Sequence, residues 1–137
     1  SPGAAPGFLA MTDALRHANS LPPTLREVAI LRVGRRYDAP YEVHHHERIA
    51  RSVGLGEAVI AAAASGTDAP DLSDDERLVM DLTDELLDDH RLGAAGRRRA
   101  LERFSLEQLA DLVLTVGHYQ QVCNFLNTFG VPIEQAS

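Results

Sequence analysis

The sequence predicts an all-α fold, a compact bundle of about six helices that assembles into an oligomer. Apolar residues recur three and four positions apart through most of the chain, and no stretch of strand length alternates between apolar and polar residues. Aromatic residues make up only 5% of the chain and tryptophan is absent, so the core must be aliphatic, which suits packed helices. A chain of 137 residues suits one domain, which we place at residues 8–137 behind a flexible N-terminal arm of residues 1–7.

The first half of the chain is divided into helices by proline and glycine. Pro22 and Pro23 separate the first helix from the second, and Asp38-Ala39-Pro40 separates the second from the third, which ends at Gly54. In the second helix, Gly34 lacks a side chain and would let a neighbouring helix approach closely. The expected helices cover residues 8–19, 24–37, 40–53 and 57–64.

The second half contains two capping boxes. Ser73 and Ser105 are each followed three residues later by Glu or Gln, a pattern that starts helices. Between these helices, Gly93 to Gly96 should interrupt the helical pattern and leave a short piece at 97–103. The last helix is apolar around most of its circumference, which is typical of a bundle centre or a subunit interface and predicts a homo-oligomer. These two helices should cover residues 74–90 and 106–129.

Composition excludes several classes of function. The net charge of -7 argues against a nucleic-acid partner, and the absence of lysine excludes Schiff-base chemistry on lysine. The single cysteine, Cys123, rules out an internal disulfide or a Cys-x-x-Cys pair and is most simply a small core residue. No apolar run approaches the ~20 residues that span a bilayer, and residues 1–7 do not resemble a signal peptide. We therefore expect a cytoplasmic protein with no membrane partner.

Three side chains form the candidate catalytic site: Glu27, Glu42 and His46. Glu27 shares the apolar stripe of the second helix, and Glu42 and His46 lie one turn apart on the inner face of the third. A carboxylate beside an imidazole raises the proton affinity of the histidine and orients its ring, which suits general acid–base catalysis. The alternative from spacing alone is a buried polar cluster that pins two helices together.

The neighbouring histidines raise two further hypotheses. Consecutive histidines on a helix point about 100° apart, so His44-His45-His46 cannot converge on one ion, and we predict no metal site and no cofactor. His118 and Tyr119 interrupt the apolar last helix and either fill the core or line a pocket against the candidate site. We assign them, with His45, to substrate binding.

At these residues the chain resembles the carboxymuconolactone decarboxylase family, which includes the alkylhydroperoxidase D-like proteins. The resemblance covers most of the chain from about residue 22 and is carried by LREVAILRVGRRYDAPYEVHHHERIARSVGLG and GHYQQVCNFLNTFGV. In the peroxidase branch, a glutamate precedes a Cys-x-x-Cys pair, and a histidine follows the second cysteine by four residues. Here these positions hold Glu27, Ala39, Glu42 and His46, so we expect no cysteine-dependent peroxidase activity.

The resemblance implies an all-α subunit that forms trimers or hexamers and a cofactor-free reaction on a small carboxylate or lactone. In decarboxylation, loss of CO₂ leaves an enolate, which protonated His46 would stabilise or protonate while Glu42 orients His46 and Glu27 shuttles protons. Nearby arginines could bind a substrate carboxylate, although most are expected in ion pairs: Arg32, Arg35, Arg36, Arg48 and Arg51. The alternatives are a lactone hydrolase or isomerase on the same scaffold and a non-catalytic ligand-binding oligomer.

Overall fold

The computed structural model of the protein describes residues 1–67 and 69–133, and in these ranges the chain forms helices joined by loops. Seven helices lie within these ranges, and no strand does, which confirms the predicted all-α class. The helices are α1 (Ala5–His17), α2 (Pro23–Arg36), α3 (Pro40–Ser52), α4 (Glu57–Ser65), α5 (Asp74–Asp89), α6 (Ala94–Arg103) and α7 (Leu106–Phe129).

Helix α2 is the centre of the bundle and packs against α3, α4, α5 and α7. Val28, Ala29, Ile30, Leu31 and Val33 have no exposed surface, so this helix is buried on nearly every side. Helices α5 and α7 begin at the two predicted capping boxes. The core is aliphatic, as the composition predicts.

The N-terminal boundary differs from the prediction. Helix α1 begins at Ala5, so the last three residues of the arm expected at 1–7 are helical. Pro6 reads as a breaker in the sequence, but it lies in the first turn, where its missing N–H and fixed φ are tolerated. Leu15 is the only residue of α1 that is fully buried, while Phe8 and Met11 stay partly exposed. The rest of the protein therefore holds α1 with few apolar contacts.

The short piece expected at 97–103 is a full helix that starts at Ala94. Gly93 is its N-cap, and the N–H of Gly93 donates a 2.7 Å hydrogen bond to the Glu85 carboxylate of α5. The same carboxylate lies against Gly96, where an added Cβ would collide with it. These glycines therefore allow close packing and do not break the helix.

Candidate active site

Glu27 is an acidic residue in the most deeply buried helix. Ile30 and Leu31, on the same face of α2, are fully buried, and Glu27 itself is only 1% exposed. Its side chain points into the protein, as the apolar stripe predicts. Because a carboxylate removed from water must be stabilised by specific partners, the contacts of Glu27 define the site.

A tight turn folds α3 back onto α2. Asp38 adopts a left-handed backbone conformation with φ of 48°, which aspartate tolerates better than most residues. The N–H of Asp38 donates to the Arg35 carbonyl at 3.0 Å, and the N–H of Ala39 donates to the Gly34 carbonyl at 2.9 Å. This pair of bonds is the Schellman motif, which ends α2 and reverses the chain within a few residues.

Gly34 lets the two helices approach closely, as the sequence predicts. A Cβ added at Gly34 would lie 3.0 Å from a methyl group of Val43 and 3.8 Å from the Cβ of Glu42. The inner face of α3 is therefore close enough to α2 for side chains on the two helices to form hydrogen bonds.

Glu27, Glu42 and His46 meet inside the protein, with exposed fractions of 1%, 4% and 3%. The Nδ1 of His46 lies 2.6 Å from Oε1 of Glu27 and forms a hydrogen bond with it. The Nε2 of the same ring lies 2.9 Å from Oε1 of Glu42. The imidazole is therefore held between two carboxylates, one from each helix. The structure brings together the three residues that the sequence selected.

The two carboxylates are not held equally. Oε1 of Glu42 is within ion-pair distance of His46 but out of line with its N–H, and this buried oxygen has no aligned hydrogen bond from any described residue. A buried acceptor without an aligned donor typically costs ~1–3 kcal/mol. Glu42 is therefore the less firmly fixed of the two carboxylates and the one with acceptor capacity to spare.

Arg26 is a fourth member of the site that the sequence analysis did not select. Its Nε donates a 2.8 Å hydrogen bond to Oε2 of Glu27, and its Nη1 donates to the backbone carbonyl of Arg16 at the end of α1, also at 2.8 Å. Arg26 is only 8% exposed. The site thus contains two buried acids and two buried bases and has no net charge when all four are ionised. The requirement that a buried carboxylate be paired is a sequence-level signal that could have identified Arg26.

These contacts shift the pKa values of the two central groups. Burial lowers the pKa of His46, but the hydrogen bond that His46 donates to Glu27 and the contact with Glu42 outweigh burial and raise the pKa from 6.5 to about 9. Burial alone would raise the pKa of Glu27, yet its hydrogen bonds with His46 and Arg26 hold that pKa below the usual range. At neutral pH the pair is an imidazolium and a carboxylate.

The three residues assigned to substrate binding surround His46 in different ways. Tyr119 is buried, and its ring meets that of His46 edge-on at a centroid distance of 5.2 Å. His118 lies beyond Tyr119, with a centroid distance of 5.4 Å between these two rings. His45 is exposed, with its ring 5.3 Å from His46 and stacked against Tyr41. Two of the three residues thus lie inside the protein, and His45 lies at the surface above the site.

Most of the arginines considered for binding a substrate carboxylate are engaged in ion pairs elsewhere. Arg32 and Arg36 bind Asp84 of α5, and Arg51 binds Glu57. Arg32 and Arg35 also line a surface cavity of about 310 Å³ between α2, α4 and α5, which does not include any residue of the candidate site. The geometry of the buried acids and bases, and not this cavity, places the site at His46.

Across 1–67 and 69–133, no group of three or more His, Cys, Asp or Glu side chains is arranged to hold a metal ion. No helix in these ranges is long and apolar enough to cross a membrane. Cys123 is fully buried, and burial raises the pKa of its thiol to about 12, in keeping with the predicted core role.

Comparison with known proteins identifies the family. The family model of the carboxymuconolactone decarboxylase family matches residues 2–85, which is more than half of the chain and includes Glu27, Glu42 and His46. The chain belongs to this family. The resemblance carried by the stretch from Leu25 to Gly54 is therefore confirmed. A search of the curated proteins found no match.

Solved structures show the same fold. One is an Agrobacterium tumefaciens protein of unknown function, described as a candidate antioxidant defence protein AhpD. It is 16% identical, with a TM-score of 0.87, over 99% of this chain and 94% of that one. Another is an alkylhydroperoxidase AhpD core from Ralstonia eutropha, an uncharacterised peroxidase-related protein. It is 21% identical, also with a TM-score of 0.87, over 98% of this chain and 73% of that one. At these identities the likeness extends to the fold alone.

Proposed function

We propose that this protein is a cofactor-free acid–base enzyme acting on a small carboxylate or lactone, with His46 as its general acid and base. The observation that carries the proposal is the placement of the His46 imidazole between two buried carboxylates, 2.6 Å from Glu27 and 2.9 Å from Glu42. The buried Oε1 of Glu42 has no aligned donor among the described residues, whereas a cluster that only joined two helices would be expected to satisfy its polar atoms. Buried acids and bases with strongly shifted pKa values are typical of catalytic sites.

The charge state decides the direction of proton transfer. With a pKa of about 9, His46 carries a proton at neutral pH and therefore acts first as an acid. Glu27, whose pKa is held low, balances the imidazolium and fixes the ring through Nδ1. The proton available for chemistry is consequently the one on Nε2, on the side of Glu42.

Glu42 lies between that proton and any substrate. Its Oε1 is the nearest acceptor to Nε2 of His46, and this oxygen has no aligned donor among the described residues. We infer that Glu42 receives the proton and passes it on, or turns aside so that the substrate takes its place. Glu42 occupies the position of the second cysteine in the peroxidase branch, so the proton path would be kept while the redox chemistry would be lost.

The reaction that best fits these groups is decarboxylation of a carboxy-lactone. Departure of CO₂ leaves its bonding electrons on the substrate as an extended enolate, which needs an adjacent positive charge and then a proton. His46 supplies both within a site that excludes water, where the charge interaction is stronger than in solvent. Tyr119 would shape the pocket wall beside His46. A second candidate reaction, lactone isomerisation, also forms an enolate that an acid must protonate.

The test uses carboxymuconolactone, the compound that names the family, as the probe. We expect the wild type to release CO₂ and His46→Gln to lose at least ~10²-fold in rate, because a general acid contributes ~10²–10⁴. His17→Gln is the matched control, since His17 is exposed on α1 and pairs only with Asp13 at 3.8 Å. It should keep the wild-type rate.

Two outcomes would contradict the proposal. Equal rates in the wild type and His46→Gln would remove His46 from the chemistry. Failure of the wild type to process carboxymuconolactone or any lactone in a metabolite panel, together with unfolding of His46→Gln, would favour the structural alternative. Ring opening without CO₂ release would favour the hydrolase instead of the decarboxylase.

We also propose that the protein works as a homo-oligomer built on α7. One side of this helix exposes several large apolar residues, and a Cβ added at Gly117 on that side would meet nothing within 4 Å. An apolar surface of this kind usually marks an interface, and the family resemblance implies a second copy of the chain as the occupant. The exposed apolar residues of α7 are Leu106, Val113, Leu114, Phe125 and Phe129.

A further inference from the structure

Thr12 fixes the tautomer of a second buried histidine, His118. The hydroxyl of Thr12 donates its one hydrogen to the carbonyl of Phe8 at 2.9 Å. The same oxygen lies 2.8 Å from Nε2 of His118. The arrangement that satisfies both contacts has Thr12 accept from Nε2 of His118, which leaves the lone pair of the neutral ring on Nδ1.

His118 adjoins the candidate site but is not one of the four residues that form it. It is 7% exposed and is enclosed by Phe8 of α1, whose ring centroid is 5.0 Å away, and by Tyr119 of α7. Tyr119 in turn contacts the His46 ring. The Nδ1 of His118 forms no hydrogen bond with any residue in the described part of the chain, so this nitrogen has acceptor capacity to spare.

We propose that His118 is a second catalytic residue, a neutral base whose Nδ1 takes a proton from the substrate while the His46–Glu42 pair delivers one at another position. This inference rests on the proposed function and applies to its second candidate reaction, lactone isomerisation, because decarboxylation leaves no substrate proton for a base to remove. It also names the substrate class, an unsaturated lactone with an acidic C–H bond next to its carbonyl group.

The surroundings of His118 support a neutral ring at physiological pH. Burial lowers the pKa of His118, and the Glu42 carboxylate of α3 offsets this only in part. Helix α1 presents the uncharged Thr12 and Phe8 to the ring, and α7 presents Tyr119, whose own pKa is raised by burial, so that it too stays neutral. Two histidines whose environments move their pKa values in opposite directions are suited to be a base and an acid in one reaction.

The proposed step balances without an oxidant, a reductant or a cofactor. Nδ1 of His118 accepts a proton from the carbon next to the lactone carbonyl, and the electrons of that C–H bond form the enolate. A proton from Nε2 of His46 passes through Glu42 to the far carbon of the extended enolate, and the double bond moves. His118 then holds one extra proton and His46 lacks one, and exchange with solvent restores both residues.

The first test measures the tautomer in the ligand-free protein by ¹⁵N NMR of the histidine rings. We expect His118 at pH 7 to be neutral with its hydrogen on Nε2. In Thr12→Val, which keeps the size of the side chain but removes the hydroxyl, the two tautomers should become mixed. A wild-type His118 that is protonated at pH 7, or that carries its hydrogen on Nδ1, would overturn the inference and leave the assignment of His46 intact.

The second test measures proton transfer with α-angelica lactone, an unsaturated lactone without a carboxylate, in D₂O. The wild type should shift the double bond and incorporate deuterium at the far carbon, which receives the proton from His46 through Glu42, and His118→Gln should lose at least ~10²-fold of that rate. Glutamine keeps an N–H that can donate to Thr12, so the contact with α1 can survive. His17→Gln should match the wild type. Thr12→Val should be slowed less than His118→Gln.

The two levels of proposal fail in different ways. If His118→Gln exchanges deuterium as fast as the wild type, or if the wild type exchanges none, the role of His118 is refuted. If carboxymuconolactone is still decarboxylated by the wild type and not by His46→Gln, the proposed function stands without His118. If His46→Gln retains decarboxylation, the assignment of His46 as the acid is wrong. If His118→Gln abolishes deuterium exchange in the same series, the assignment of His118 as the base still stands.

Discussion

The pKa of His46 makes the stability of the protein depend on pH in a defined window. The pKa is 6.5 for an unperturbed histidine and about 9 in the folded protein, a difference of about 2.5. The folded state therefore binds the proton more tightly than the unfolded state. At about 1.36 kcal/mol per unit, this difference contributes roughly 3 kcal/mol to the free energy of unfolding. Because the folded pKa is raised, the contribution is fully present below pH 6.5 and is lost as the pH rises through 9.

Other titrating groups affect stability outside this window. Burial lowers the pKa values of His45 and His118, so their effects fall at and below pH 6.5 and have the opposite sign. Burial raises the pKa of the Cys123 thiol from 9.0 to about 12, so this group destabilises the fold only as the pH passes about 9. The interval from pH 6.5 to 9 therefore reports mainly on His46.

Urea unfolding of the wild type at half-unit steps from pH 6 to 9.5 measures the effect directly. We expect the free energy of unfolding to fall by roughly 3 kcal/mol across the window, and the His17→Gln control to give the same curve. His46→Gln should be less stable at pH 6 and nearly flat to pH 9. A wild-type curve that is flat between pH 6.5 and 9 would refute the protonated, doubly paired imidazole and the acid role based on it.

Three further substitutions test other features. Arg26→Gln removes one partner of the Glu27 carboxylate, and we expect a loss of ~3–5 kcal/mol in urea unfolding at pH 7; a loss below ~1 kcal/mol would contradict the buried pairing. Gly34→Val places side-chain atoms against α3 and should cost ~1–3 kcal/mol by the same measurement, whereas an unchanged midpoint would contradict the close helix approach. Phe125→Glu introduces charge on the exposed face of α7 and should reduce the mass in light scattering to that of one chain; an unchanged oligomer, or a monomeric wild type, would refute assembly through this face.

Much of the architecture was predictable because its determinants are local. Proline and glycine mark the ends of α2 and α3, and the serine capping boxes start α5 and α7. Helical spacing was also enough to place Glu42 and His46 on one face, since residues four apart must lie above one another. Glu27 followed from the apolar stripe that surrounds it. The local signals failed where a breaker residue serves another purpose, as Pro6 and Gly96 do.

The parts of the site that escaped prediction depend on how side chains bend and pack in the folded protein, and not on helical spacing. Arg26 is adjacent to Glu27 on a helix, so the two side chains leave the helix about 100° apart. The long side chain of Arg26 must therefore bend back to reach the Glu27 carboxylate. Nothing in the local pattern indicates that bend. The contact between Thr12 and His118 joins positions 106 residues apart, and only the packing of α1 against α7 creates it.

The pairing of Arg26, Glu27, His46 and Glu42 has a consequence for how this sequence can change over generations. With two positive and two negative members sealed from solvent, the loss of any one leaves an odd charge in the interior. A lineage that replaces Arg26 must therefore also replace one of the two glutamates with an uncharged residue. Whichever substitution comes first, the intermediate sequence carries an unpaired buried charge and folds less stably. Divergence at this quartet should occur in coordinated pairs, whereas the surface helices can vary one position at a time.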